Sequence, residues 1–271
     1  MKLIKKCSLK TLFLFIVILI NCYNSNAQEP VKFMENNYWG LKNSAGEVIL
    51  KPTYNKIGEF YDGLASVEIG DYKTPLKYGL IDITGKIVAP PIYDDRLFFR
   101  DGLARVCIRN KQNERKYGFI DRKGKVIIPI QYRFAAEFSN GYTSVCMISK
   151  YGFIDKTGKV IIPLVYNYVG AFSDGFFSVH GFKNDKWGYL DIKANVVIPM
   201  KYDEANEFSE GLAVVGIGND QSGIKYGLID KTGKIIIPII YDFASRFIQG
   251  RTQVNLKDKI IYLDKLGQKI N

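Results

Sequence analysis

The chain has 271 residues, 47% of them hydrophobic, and carries 38 basic against 27 acidic residues for a formal net charge of +11. That length supplies a core by packing alone, and four cysteines with a single histidine argue against a disulfide framework, a His-rich metal site or a His-centred catalytic triad. The basic residues are spread along the chain rather than gathered in a stripe, which argues against a nucleic-acid surface.

The first segment reads as a leader. Lys2, Lys5, Lys6 and Lys10 precede an apolar run from Leu12 to Ile20, and small or polar residues follow up to Ser25-Asn26-Ala27. Such a run is too short to span a bilayer, and the layout is that of a secretory signal peptide, residues 1–27, cleaved after Ala27. A rival reading takes Leu19-Ile20-Asn21-Cys22 as a lipobox with a lipid anchor on Cys22, although Asn21 stands where a small residue is wanted. Both readings predict an exported protein: periplasmic, outer-membrane-associated or secreted. No later segment predicts a transmembrane span, because charged or turn residues interrupt every apolar run. Loss of the four leader lysines lowers the basic count from 38 to 34 and the net charge from +11 to +7. A surplus of that size suits either an anionic partner or an ordinary solvated surface.

Residues 28–271 form a single predicted domain of about seven repeats. An aromatic-glycine pair recurs at Trp39-Gly40, Tyr78-Gly79, Tyr117-Gly118, Tyr151-Gly152, Trp187-Gly188 and Tyr226-Gly227, at intervals of 39, 39, 34, 36 and 39 residues. A degenerate seventh unit has Ile260-Ile261 in its place. After each pair comes Asp (82, 121, 155, 191, 230, 264; Asn43 in the first unit), then Gly three residues later, with Ala194 the exception. Asp opening and Gly closing a four-residue turn between β-prone runs predict a hairpin. The following run stops at proline, which cannot donate to a ladder. A Tyr-x5-Phe-x2-Gly linker follows in all six cases, from Tyr54, Phe60 and Gly63 to Tyr241, Phe247 and Gly250. It leads into a third strand whose fourth residue after Gly is always valine: Val67, Val106, Val145, Val179, Val215 and Val254. Alternation puts this valine and the small residue two before it on one buried face.

These residues, above all Trp39-Gly40-Leu41 and Lys186-Trp187-Gly188-Tyr189-Leu190-Asp191, resemble the WG-repeat family over nearly the whole mature chain; four of the six pairs use Tyr for Trp. The resemblance implies an extracytoplasmic binding or scaffold role and brings no catalytic residues. The predicted fold is all-β: tandem three-stranded antiparallel meanders forming a curved β-solenoid. The alternative is a seven-unit β-propeller; blades of four strands, against three here, weigh against it.

Catalytic sites break symmetry, whereas the polar residues here obey it, so the chain is expected not to be an enzyme and to need no cofactor. The Asp row explains itself as turn formers, and Asp155-Lys156-Thr157-Gly158-Lys159 lacks the glycine run and helix of a phosphate loop. His180 has no partner motif. Cys107 and Cys146 occupy equivalent places in consecutive units and are either separate thiols or, if stacking brings them into range, a disulfide. Their column (Glu68, Cys107, Cys146, His180, Gly216, Asn255) varies freely beside the constant valine, which predicts a solvent or ligand face. The return loops vary too, and the most basic of them nominates Arg109, Lys111, Arg115 and Lys116 as a binding site. The expected function is a non-catalytic scaffold of the cell envelope that mediates protein interactions; the alternative is a glycan or peptidoglycan-binding repeat protein that stacks sugars on the aromatic-glycine column.

Overall fold

The computed structural model describes residues 29–71, 74–181, 183, 185–219, 221 and 223–270. The leader, with its cleavage and lipidation readings, lies outside the described residues. The described residues contain no helix and form seven antiparallel sheets in tandem, none of them closed into a barrel. The all-β repeat reading of the sequence therefore stands.

The fourth sheet shows the plan. Its strands follow one another across the sheet as Phe134–Ala135, Tyr142–Met147, Lys150–Asp155 and Val160–Tyr166. We call them the linker, valine, aromatic-glycine and proline strands. Six sheets have four strands. The first, Val31–Glu35, Tyr38–Lys42 and Val48–Tyr54, has three. The sequence predicts three throughout, and the extra strand is mostly a two-residue piece of the Tyr–Phe linker, too short to leave a period-2 pattern. The strand-count argument against radial closure accordingly falls away. Each later sheet also takes its first two strands from one sequence repeat and its last two from the next, so the degenerate unit at Ile260-Ile261 completes the seventh sheet.

Local chemistry accounts for these strands. The proline strand lies at the edge of its sheet, where Pro129 or Pro163 discourages pairing with a further strand. It is also bulged: Phe119 faces Ile128 while Tyr117 faces Tyr132, so four residues of the edge strand advance against two of its neighbour. The same shift recurs in the first, fourth, fifth and sixth sheets. The bulge drives the edge backbone over the aromatic-glycine strand. A Cβ on Gly118 would lie 2.6 Å from the Ile128 carbonyl oxygen, and the other five glycines of the pairs meet the equivalent carbonyl. Glycine is required there by close approach. The hairpin turns close as expected, with Gly158 at φ 85° and even Ala194 at φ 64°.

The chain divides into two compact units, 1–92 and 93–271. Within each, the core forms between consecutive sheets. In the first unit Leu41 and Tyr54 pack on Ile57, Phe60, Ala65, Val67 and Ile81 of the second sheet. In the second unit Phe119 and Ile128 of the third sheet meet Ala135, Phe138, Val145 and Ile154 of the fourth. Phe153 and Ile162 meet Phe177, Val179 and Leu190 in the same way, and Tyr189 and Ile198 meet Phe208, Val215 and Ile229. Within each unit a sheet thus turns its aromatic face to the valine face of the sheet that follows it. Every fully buried valine or phenylalanine contributes about 1.5–3 kcal/mol relative to exposure.

Candidate functional site

Antiparallel pairing sorts the loops between two ends. In the fourth sheet Tyr142 lies opposite Asp155 and Met147 opposite Lys150. The Asp hairpin turn therefore shares one end with the Asn140-Gly141 turn, and the return loop occupies the other.

At the turn end the carboxylates accept backbone amides. Asp121 Oδ1 accepts the amide N–H groups of Lys123 and Lys125, and Asn43, Asp82, Asp155, Asp191, Asp230 and Asp264 repeat the pattern. The Asp191 carboxyl is held below its ordinary value by the Asn195 side chain and amide, and the Asp230 carboxyl by the Thr232 hydroxyl. The acidic residue before the linker glycine reaches further, to the next sheet. Gly141 N–H donates to Asp101 Oδ2 at 2.8 Å, Gly211 N–H to Asp174 Oδ2 at 2.7 Å, and the Gln249 and Gly250 amides to the Glu210 carboxylate at 2.7 and 3.0 Å. Each member of the Asp row thus bonds the amides of its own hairpin turn, the turn-forming role its symmetry predicts.

At the return-loop end the residue after four of the six linker tyrosines clamps the incoming loop. Asn55, Asp94, Asp203 and Asp242 accept from the backbone N–H of Gly70, Arg109, Gly218 and Lys257 at 2.7–3.0 Å. Lys186 and Lys225, just before the aromatic-glycine pair, form ion pairs with Asp203 and Asp242. Burial opposes ionisation of Asp203, but the Lys186 ammonium and the Gly218 amide outweigh it and lower its pKa.

The four nominated basic residues come together on one hairpin, where Arg109 faces Arg115 across the ladder. Arg115 and Lys116 have acidic neighbours, and Arg109 has an amide partner. Arg109 Nη1 donates to Asn113 Oδ1 at 3.2 Å, Arg115 lies 3.9 Å from the Asp95 carboxylate, and Lys116 lies 3.6 Å from Glu114. Lys111 is exposed at the tip. Glu114, held below its ordinary pKa by hydrogen bonds from Asn110 and then Arg133, also pairs with Arg133 at 3.0 Å. That pair links the basic loop to the fourth sheet.

Arg133 borders a row of rings. Phe134 lies 5.9 Å from Tyr151, Tyr151 stacks on Tyr168 at 6.0 Å and 24°, Tyr168 lies 5.9 Å from His180, and His180 lies 5.1 Å from Trp187. Phe134 and Tyr168 are 41% and 59% exposed. Arg133, Phe134, Cys146, Ile148, Tyr151 and Tyr168 line an open groove of about 490 Å³, within the size range of small-ligand sites.

Six consecutive matches to the WG containing repeat model cover residues 39–72, 78–111, 117–150, 151–180, 187–219 and 226–259. The chain belongs to the WG-repeat family. No curated protein matches it. A solved structure described as the crystal structure of the eukaryotic initiation factor is similar with 12% identity and a TM-score of 0.45, over 91% of this chain and 85% of that one.

With the WG repeats in place, two sequence expectations change. The freely varying column is not a solvent face: Cys107, Cys146 and His180 are 0%, 4% and 9% exposed, and Gly216 is buried. Alternation places it opposite the valine, but the next WG sheet covers that side as well. Cys107 and Cys146 are free buried thiols, and burial raises the pKa of both. The aromatic of each WG pair is half-buried, and Trp39, Tyr117, Trp187 and Tyr226 pack against the cores between sheets, so these four rings serve packing first. Sequence reasoning missed Phe134 and Tyr168. The signal was available in a second variable column, two residues after the linker tyrosine: Lys56, Asp95, Phe134, Tyr168, Glu204 and Phe243.

Proposed function

We propose that this WG-repeat chain is a non-catalytic scaffold of the cell envelope that holds protein partners on its return-loop end. One observation carries the reading. The recurring polar residues are spent on turns, clamps and bonds between sheets, while the return loops differ in length and chemistry from sheet to sheet on a regular framework. Arg109, Lys111, Arg115 and Lys116 form the first contact surface in this reading, and the leader pattern of residues 1–27 supports delivery to the envelope. Among the described residues no helix is long and apolar enough to cross a membrane.

A photo-crosslinking residue at position 111 in living cells tests the scaffold. A discrete protein adduct is expected, and it disappears when Asn110–Glu114 is shortened to a two-residue Asn-Gly turn. The N-terminal mass of the same sample reads the leader: a chain starting at Gln28, or an acylated Cys22, is expected. An intact Met1 N-terminus on soluble cytosolic protein, or an adduct indifferent to the loop, defeats the proposal. The row of partly exposed rings favours a second reading, binding of a glycan at the same end of the molecule.

A further inference from the structure

We infer that the groove between the fourth and fifth sheets is a binding site for an acidic polysaccharide, with the Tyr151–Tyr168 stack as its platform and Arg133 as its carboxylate contact. This deepens the glycan-binding reading and rests on it.

Three observations converge on the groove. The first is local asymmetry. The variable column places rings in consecutive sheets at Phe134 and Tyr168, whereas Asp95 precedes them and Glu204 follows. Tyr226 then hydrogen-bonds Glu204 at 3.0 Å where a ring would otherwise stack. Repeats that pack without an aromatic at this place show that packing does not demand one. Phe243 stands 46% exposed in the seventh sheet, but only Phe134 and Tyr168, 41% and 59% exposed, flank one ring, Tyr151. Exposed aromatic surface at such a cost marks a contact surface.

The second is strain. Ile148, at the tip of the return turn, has φ +58° and is 79% exposed. A β-branched residue at positive φ is an outlier in a turn that favours glycine or asparagine. The seventh sheet makes its two-residue return turn differently, with both Lys257 and Asp258 at positive φ. Ile148 lines the groove, and its carbonyl accepts from Arg133 Nη1 at 3.2 Å, so the strained turn also fixes the guanidinium.

The third is the pairing of ring faces with one sign of charge. Of the residues that line the groove, Arg133 alone is charged, with half its side chain exposed. Tyr151 and Tyr168 lie 24° from parallel at 6.0 Å, and Asn167 and Ser149 flank them. A pyranose ring has an apolar C–H face that lies flat on an aromatic ring and a polar rim that needs amide, hydroxyl or guanidinium partners. An open groove admits a chain that continues past both ends. A carboxylate on alternate sugars meets Arg133 as a charge-assisted hydrogen bond. Glu114 pairs with Arg133 at 3.0 Å, so an incoming carboxylate exchanges with Glu114 at that guanidinium. Lys111, exposed at the tip of the same loop, adds positive charge.

Affinity electrophoresis of the purified chain through gels containing alginate, hyaluronan or neutral hydroxyethyl cellulose tests the inference. Retardation by an acidic polymer is expected, with at least a tenfold loss of affinity in Tyr168→Ala and a several-fold loss in Arg133→Gln. Phe243→Ala, at the equivalent place in the seventh sheet, stays at full affinity, and thermal melts of each variant report folding. Equal retardation by the neutral polymer, no retardation by any polymer, or binding unchanged in a folded Tyr168→Ala overturns the inference. A protein adduct at position 111 without polysaccharide binding leaves the scaffold reading intact and removes this one.

Discussion

Gly118 and Ala194 show what a single side chain decides in this fold. The bulged edge strand passes so close to Gly118 that a Cβ would meet the backbone at the Ile128 carbonyl, at Ile130 Cα and at Ile130 N. Backbone cannot swing aside as a flexible side chain can. Gly118→Ala is therefore expected to destabilise by about 3 kcal/mol, the upper range for overpacking, read as a fall in the urea midpoint at constant slope. Ala194 is the opposite case. It already sits at φ 64° where the sister turns use glycine, so Ala194→Gly relieves left-handed strain and raises stability by about 0.5–1 kcal/mol after the entropic cost of glycine. If the two substitutions move the midpoint the same way, the account of both glycine columns is wrong. The aromatic-glycine pair is legible in the sequence as a regularity, but its cause is not. The clash lies between strands joined through a bulge, and no local propensity reports it.

Elements were legible wherever one segment carries its own signal. Asp and Gly three apart give the hairpin, proline gives the edge, and the constant valine gives the buried face; each is a local rule acting on local residues. The two-residue linker strand carries no such signal, because its pairing partner alone makes it a strand. The variable Cys–His column was misread for a related reason: period-2 alternation tells which side of a sheet a residue is on, not whether another sheet lies there. Bonds between sheets were equally hidden. The Asp174 carboxylate accepts from Gly211 N–H in the next sheet, and Lys231 lies 3.9 Å from the same carboxylate. Asp174→Ala is expected to cost about 1 kcal/mol, a single net hydrogen bond, and to speed amide exchange at Gly211 while Asp155 and its own turn stay protected. Asp174→Asn, which keeps an acceptor, recovers most of that protection. Unchanged exchange at Gly211 in the alanine variant would mean that these carboxylates decorate the turns without coupling the sheets.

At the scale of the whole molecule the repeated small effects add, because the same carboxylate geometry recurs in sheet after sheet. Asp82 and Asp155 are partly buried, which opposes ionisation, yet the Thr84 and Thr157 hydroxyls and the turn amides prevail and lower both pKa values. Asp191 and Asp230 at the same end, with Asp203 and Asp242 at the other, are lowered as well. A carboxyl with a lower pKa folded than unfolded stabilises the fold above its unfolded value, about 3.9, and loses that contribution as the pH falls through the folded value. All six act in the same direction. Stability is therefore expected to hold from pH 7 to about pH 5 and then to decline with a slope that steepens below about pH 4. Replacing one turn aspartate, as in Asp230→Asn, leaves the form of the curve and flattens it slightly, since five members of the set remain. Calorimetric melts across that range, in low and high salt, separate the contributions: salt weakens the Lys186–Asp203 and Lys225–Asp242 pairs and leaves the turn hydrogen bonds in place. A melting temperature flat down to pH 2 would mean that the turn and clamp carboxylates hold no proton-linked stability, and the two rows would then be geometry without energetic weight.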